Sequence, residues 1–308
     1  MATSSAPGKV ILFGEHAVVY NRPALAVPVT QVHADVEVRD SARAGIWIEA
    51  PEIDLHAEVQ SLPSGHPLVT VINDVILPLG ISPFPNLEIK ISSTIPVASG
   101  LGSGAAVTVA LARALSSFLF HPMTDEEVNS LAYEIEKFHH GTPSGIDNTV
   151  VTYAKPVYFI KGQPIETFRV GKPFTIVIAD TGIPAPTKES VGDVRRLWLK
   201  NTNRFENMFD EIAQISLMAR RAIESGKPES LGELMNQNHG LLQEMTVSCS
   251  ELDKLVEAAR RAGALGAKLS GGGRGGNMIA LVNDDQAGAI SAALMEAGAG
   301  RVIVTQVA

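Results

Sequence analysis

Three stretches of this chain combine residue types suited to handling phosphate. The first, Pro96 to Ala106 (P-V-A-S-G-L-G-S-G-A-A), places Gly100, Gly102 and Gly104 between an apolar alternating run (Leu87, Ile89, Ile91) and a long apolar segment from Ala105 to Leu119. That order predicts a strand, a tight loop and a helix N-terminus. Glycines lack the Cβ that would hold a polyphosphate off the backbone, and a helix start adds partial positive charge. The loop is predicted to cradle an anion, although an isolated glycine triplet is equally an ordinary strand-to-helix turn. No Walker A spacing G-x-x-x-x-G-K-[ST] occurs here, and the third glycine comes one step too early for the dinucleotide fingerprint. The cradle is of another type.

The second stretch, residues 5 to 20, reads S-A-P-G-K-V-I-L-F-G-E-H-A-V-V-Y. Lys9 opens a predicted strand over 9 to 13, where a long cation often simply reaches solvent. Glu15 and His16 follow the strand-ending Gly14, a position from which side chains can enter a cleft; taken alone, His16 reads more readily as a half-buried hydrogen-bonded histidine. Further on, Glu136 lies at a predicted helix end, and Asp147 follows eleven residues later in a loop rich in glycine and proline. Acids in polar loops are mostly solvated. Two that converge on a phosphate cradle could divide the work, one holding Mg²⁺ and the other accepting a hydroxyl proton. His139 and His140 have no third or fourth ligand at suitable spacing, so a zinc site is rejected. The third stretch, S-G-G-G-R-G-G-N over 270 to 277, carries five glycines. A hairpin needs fewer, which points to close backbone packing against a ligand or a facing loop.

The elements that must position these residues follow from the patterning. Strands are predicted over Ala24 to Val29, Val32 to Val38, Ile46 to Ile48 and Leu87 to Ile91, with a helix over His66 to Leu77. The segment after the glycine loop is apolar nearly all round and should form a central, buried helix. Thr124 is a predicted N-cap for a helix to about Lys137. Val150 to Tyr153 and Val157 to Ile160 read as strands. The second half runs strand (Phe174 to Ala179), several helices, strand (Ala267 to Ser270), strand (Met278 to Val282), helix (Asp285 to Glu296) and strand (Arg301 to Thr305). Helices within it include one with Phe205, Met208, Phe209 and Ile212 on one face, and another over Glu251 to Arg261. This is the order of a ferredoxin-like sandwich with extra helices after its first strand.

A chain of 308 residues is long enough for two cores. The best boundary is Val170-Gly171-Lys172-Pro173, giving domains of 1–170 and 171–308. A hydrophobic content of 45% with 19% charged residues excludes a disordered chain. The net charge of −8 argues against nucleic acid or an anionic membrane as partner. An anionic substrate would therefore need a local arrangement of backbone N–H groups, a few cations and Mg²⁺. One cysteine, Cys249, excludes an internal disulfide and a thiolate cluster. Neither a signal core nor eighteen uninterrupted apolar residues occur, and a cytoplasmic location is expected.

Taken together, these residues resemble the GHMP kinases, the superfamily named for galactokinase, homoserine, mevalonate and phosphomevalonate kinases. The resemblance covers the whole chain. P-V-A-S-G-L-G-S-G-A-A is similar to the family's nucleotide loop, and K-L-S-G-G-G-R-G-G-N to its C-terminal glycine motif. A-P-G-K-V-I-L-F-G-E-H-A-V-V-Y together with H-G-T-P-S-G-I-D-N resembles the branch that acts on mevalonate.

The resemblance implies an α+β, two-domain GHMP kinase fold: an N-terminal domain with a left-handed βαβ unit and a C-terminal ferredoxin-like domain. It implies ATP-dependent phosphorylation of the C5 hydroxyl of mevalonate to 5-phosphomevalonate, on the route to isoprenoids, with ATP and Mg²⁺ as cofactors. Carried over residue by residue, Asp147 is the catalytic base and Lys9 its partner beside the hydroxyl. Glu136 matches the Mg²⁺-binding acid. Pro96, Val97, Ala98, Ser99, Gly100, Leu101, Gly102, Ser103, Gly104, Ala105 and Ala106 form the nucleotide loop. Glu15 and His16 line the substrate pocket with Lys9 and Asp147, and Thr187, in I-P-A-P-T-K, matches a threonine near substrate and phosphates. Members of the branch are often dimers, so a homodimer is one expected state.

Two departures matter. The family's loop commonly reads G-L-G-S-S-A-A, and its second serine contributes to Mg²⁺ binding; Gly104 stands there, leaving Ser103, water or the phosphates to fill the position. Arg274 stands where many relatives have glycine, and a compensating cation near the phosphates is one reading of it. The rival functions are a kinase or decarboxylase acting on phosphorylated mevalonate and a non-catalytic sensor. The presence of Lys9, Glu136 and Asp147 argues against a sensor, since binding alone needs no base.

Overall fold

The computed structural model describes every residue except Val97, Ala98, Gly141, Thr142, Ile165 and Pro186, and for His139 and His140 only the helical backbone. The chain forms two compact units. Unit one comprises Met1–Gly8, Val32–Pro96 and Gly102–Ala154; unit two comprises Lys9–Gln31, Val97–Leu101 and Lys155–Ala308. Strands β1 (Ala2–Phe13) and β2 (Ala24–Asp40) pair with each other and each contributes residues to both units. Both are longer than their sequence predicts. Residues 2 to 8 are small or polar and carry no apolar alternation, yet Ala2, Ser4 and Ala6 are more buried than Thr3 and Ser5. In β2 the exposed Thr30 and Gln31 interrupt the apolar pattern without breaking the strand.

Unit one adds β3 (Ile46–Ala50), β4 (Leu55–Glu58), α1 (Pro67–Ile76), β5 (Leu87–Ser93), α2 (Ser103–Phe118), α3 (Asp125–His140) and α4 (Ile146–Tyr153). Its sheet is mixed. β5 runs antiparallel to the later part of β2, with Val36 opposite Ile91 and Val38 opposite Ile89. β3 lies parallel to β5, and β4 antiparallel to β3. Helix α2 is buried on most of its circumference, as its composition predicts, and packs against α1, α3, α4 and β5. Its alanines 105, 106, 110, 112 and 114 let those neighbours approach closely. A capping box starts α3: the Thr124 N–H donates to Glu127 Oε2 at 2.7 Å, and the Glu127 N–H donates to Thr124 Oγ1 at 3.3 Å.

One element is corrected. Val150–Tyr153 belongs to helix α4 and is not a strand. Its β-branched run favours a strand locally, but α4 is packed on α2 and α3, and Thr149 Oγ1 bonds back to the Gly145 carbonyl at 2.6 Å. Tertiary packing overrides the propensity.

Unit two continues with β6 (Val157–Phe159), β7 (Glu166–Thr167), β8 (Phe174–Asp180), α5 (Thr187–Lys200), α6 (Thr202–Glu224), α7 (Leu231–Glu244), α8 (Ser250–Arg261), β9 (Gly266–Ser270), β10 (Asn277–Val282), α9 (Ala287–Glu296) and β11 (Arg301–Val307). The start of β2 pairs with β6, and β6 with β7. A separate antiparallel sheet has the order β11-β8-β10-β9. With α8 before β9 and α9 before β11, this is the ferredoxin-like order that the sequence predicts, α5 to α7 being the extra helices. Its core gathers Phe205, Phe209 and Ile212 of α6, Leu252 and Leu255 of α8, and Met278 of β10.

Candidate active site

Within unit two, three motifs far apart in sequence meet. Strand β1 ends at Gly14, whose φ of +99° suits glycine, and a Cβ there would stand 2.5 Å from the Pro23 carbonyl oxygen. The chain turns so sharply that His16 also takes a left-handed φ of +61°. A short 3₁₀ helix, Ala17–Tyr20, follows and is anchored on α6: the Tyr20 ring stacks on Phe209 at 4.2 Å between centroids. Beside it Arg22 pairs with Glu206 and Asp210 at 2.5 and 2.8 Å. The turn is thereby fixed from both sides.

This turn carries Glu15 and His16 to the glycine run 270–277. His16 Nε2 lies 3.1 Å from the Gly272 carbonyl, and Ser270 Oγ donates to the Ile11 carbonyl at 2.8 Å. Lys268, on β9 and fully buried, donates from Nζ to Glu15 Oε1 and, at 2.7 Å, to the Leu269 carbonyl. The nucleotide loop enters at the same place. The Lys9 N–H donates to the Leu101 carbonyl at 2.9 Å, and Asn277 Nδ2 donates to the Ser99 carbonyl. Thr187, the exposed first residue of α5, lies against Gly272: a Cβ there would stand 2.7 Å from Thr187 Oγ1.

The electrostatics follow from burial. Desolvation pushes the Glu15 carboxyl up, opposed chiefly by the Lys268 ammonium, and the same burial pushes Lys268 down. His16 is lowered to about 4 by burial, against the opposing bond to Gly272. A neutral His16 that donates from Nε2 keeps Nδ1 as an acceptor. Both His16 Nδ1 and Glu15 Oε2 are buried without a hydrogen-bond partner. Such atoms suit a ligand bearing hydroxyl donors.

The other predicted residues lie in unit one. Gly102, with φ +76°, is the N-cap of α2, and Ser103 and Gly104 open the helix. Asp147 is not in an open loop as its surroundings predict; it occupies the first turn of α4, after the N-cap Gly145 with φ +89°. Glu136 is half-buried one turn before the end of α3. Val97 and Ala98 of the nucleotide loop, and Gly141 and Thr142 of the motif before Asp147, lie outside the described residues. Lys9 belongs to unit two and Asp147 to unit one.

The family model described as GHMP kinases N terminal domain matches residues 68–155, and that described as GHMP kinases C terminal matches 219–300. The mevalonate kinase of Pyrococcus furiosus is 36% identical, with 99% of this chain and 95% of that protein covered. The chain belongs to the GHMP kinases. Among solved members of that family, the L. major mevalonate kinase in complex with R-mevalonate superposes with a TM-score of 0.86 at 31% identity, covering 100% of this chain and 96% of that one. The Methanococcus jannaschii mevalonate kinase gives a TM-score of 0.84 at 25% identity, covering 99% and 96%. The α+β, two-domain GHMP kinase fold expected from the sequence is the fold observed.

Lys268 and Asn277 are site residues to which sequence reading assigns no role. A lysine between two apolar strand residues, directly before a glycine run, was the available signal for the first. Asn277 closes the quoted glycine motif, but its bond to the Ser99 carbonyl is visible only once the chain is folded.

Proposed function

We propose that this chain transfers the γ-phosphoryl group of ATP to the C5 hydroxyl of mevalonate. The observation that carries the reading is the meeting in unit two of Glu15, His16, Ser99, Thr187 and the glycine run, with Glu15 Oε2 and His16 Nδ1 held as orphaned acceptors. Those acceptors take hydroxyl protons of the substrate. Asp147, fixed by the first turn of α4, accepts the C5 proton and aligns the oxygen in line with the γ-phosphorus. Lys9 stabilises the negative charge that develops on that oxygen. Backbone N–H groups around Ser99 to Ala105 hold the β-phosphate. Catalysis is then positioning and charge stabilisation, which is what phosphoryl transfer requires.

Glu136 and Ser103 offer oxygen donors of the kind Mg²⁺ prefers, and Mg²⁺ commonly takes few protein carboxylates beside substrate phosphates. Among the described residues there is no group of three His, Cys, Asp or Glu placed to hold a metal; Glu136 and Ser103 would hold Mg²⁺ together with the nucleotide's phosphates. A Cβ at Gly104 would meet nothing within 4 Å; space for the serine side chain of relatives is present, and only its hydroxyl is missing. When bound, Mg²⁺ would supply neutralisation of phosphate charge. The division at residues 170/171 is kept as the proposed domain boundary; the two matched family segments fall on either side of it. A cytoplasmic location is part of the same proposal, and a homodimer rests on the resemblance alone.

The test is ADP release over mevalonate, phosphomevalonate, galactose and homoserine, with mevalonate alone expected to support turnover. In the same assay Asp147→Asn should lower kcat by about 10²-fold or more, the scale of lost general-base catalysis, with KM for ATP little changed. Wild-type turnover in that variant removes Asp147 from the mechanism. Binding of mevalonate without ADP release would instead support a sensor.

A further inference from the structure

Arg274 interrupts the glycine run in a left-handed conformation, φ +58°, flanked by Gly273, Gly275 and Gly276 at +74°, +136° and +70°. Any non-glycine residue is strained there, and such strain persists only where surrounding contacts hold it. Those contacts are specific. Arg274 Nη1 donates to Asp193 on α5, which also pairs with Arg196, and Nε donates to the Thr246 carbonyl at 3.2 Å. Its backbone N–H donates to the Val247 carbonyl at 2.9 Å. The guanidinium is thus turned to α5 and to the segment after α7.

Helix α5 touches the glycine run at two points. Thr187 meets Gly272, and Asp193, six residues and about 9 Å further along the axis, meets Arg274. One contact would let the helix pivot; two fix both its place and its tilt. We propose that Arg274 is a positioning residue for substrate binding, clamping α5 through Asp193 so that the Thr187 hydroxyl stays presented beside Gly272. The proposal rests on the reading that Thr187 faces the substrate. It also assigns Arg274 a task other than direct phosphate binding.

The experiment compares Arg274→Ala, Asp193→Ala, their double variant and Thr187→Ala in the full chain, by steady-state kinetics and by amide hydrogen exchange over 187–200. Each single clamp variant should raise KM for mevalonate about 5- to 10-fold, the scale of one lost hydrogen bond, with kcat and KM for ATP within about 2-fold. The double variant should be no worse than either single one, because the two groups act as a unit. Exchange in α5 should quicken by a similar factor. Arg274→Gly, which relieves the left-handed strain and so folds, should show the same rise in KM. Unchanged exchange in Arg274→Ala overturns the clamp. A raised KM for ATP in Arg274→Ala with a silent Asp193→Ala also overturns it and assigns the guanidinium to phosphate. Quickened exchange with unchanged KM, and a silent Thr187→Ala, overturns the placement of Thr187 and with it the kinetic part of the proposal, while the clamp itself stands.

Discussion

Lys268 sits at 0% exposure inside a strand, where an ammonium is tolerated only if its charge is answered. Glu15 answers it, the Leu269 carbonyl takes a second proton of the Nζ group, and the Phe13 ring lies 5.9 Å below. Replacing such a pair by apolar groups can be neutral, whereas removing one partner strands a buried charge. Lys268→Met should therefore destabilise the fold by about 3–5 kcal/mol. Lys268→Met with Glu15→Gln should recover much of that loss. Urea unfolding of the two variants checks the difference, and equal stabilities would mean that Glu15 is not left as a stranded buried charge when Lys268 is removed. The sequence supplied both halves of this contact, a lysine in an apolar strand and a glutamate after a strand-ending glycine, but nothing in it joined them. They stand 253 residues apart.

The elements were legible where one force dominates, and less so where two compete. Helix α2 and the strands β8, β9, β10 and β11 have strong apolar patterns, and they fold as those patterns predict. β1 and β2 extend past their apolar alternation because strand pairing continues through small and exposed residues. The second half of helix α4, Val150–Tyr153, has a strand pattern because Val150, Val151 and Thr152 are β-branched, a preference that packing on α2 and α3 outweighs. This short helix gives Asp147 its direction, so its start matters more than its eight residues suggest. Gly145 begins it with φ +89°, and a side chain there costs about 1–2 kcal/mol of left-handed strain. Gly145→Ala should relieve that strain by shifting the first turn, which carries Asp147. The expected result is a fall in kcat of about 10-fold or more with only about 1–2 kcal/mol lost in urea unfolding. A loss of stability with kcat intact would show that the carboxylate is positioned from elsewhere.

At the scale of the whole molecule, the order of motifs in the sequence was enough for the family, because each motif is short and locally complete. The supports behind them were not legible, since they come from side chains distant in sequence. The edge of the unit-two sheet shows this. β9 has β10 on one side only, and the backbone groups on its other side are met by side chains. Asn236 accepts from the Ala267 N–H at 3.1 Å, Arg260 donates to the Ala267 carbonyl at 2.7 Å, and His239 Nδ1 accepts from the Leu269 N–H at 3.3 Å. His239 can accept there only with Nδ1 unprotonated, which leaves Nε2 to face Asp253 at 3.2 Å. Burial lowers His239 to about 4, against the opposing charge of Asp253, and lowers His16 to about 4 as well. An unfolded histidine titrates near 6.5. Between those values the unfolded chain binds two protons that the native chain excludes, so stability rises with pH through this window and falls as the solution is acidified. It is complete above pH 6.5 and declines from there toward pH 4, by on the order of 2–3 kcal/mol for each histidine. The lowered carboxylates Glu88, Glu127 and Glu251 lose their contributions at more acid pH, starting from 4.5, so the two effects separate. Urea unfolding at pH 7, 6, 5 and 4.5 should show the decline, with these two imidazoles together contributing close to two protons to the uptake on unfolding near pH 5. His239→Gln should lower the measured uptake by about one proton, the share of His239 itself. A stability that stays level from pH 7 to 5 would mean that these imidazoles are protonated in the native state, and that the edge of β9 is held by some other acceptor.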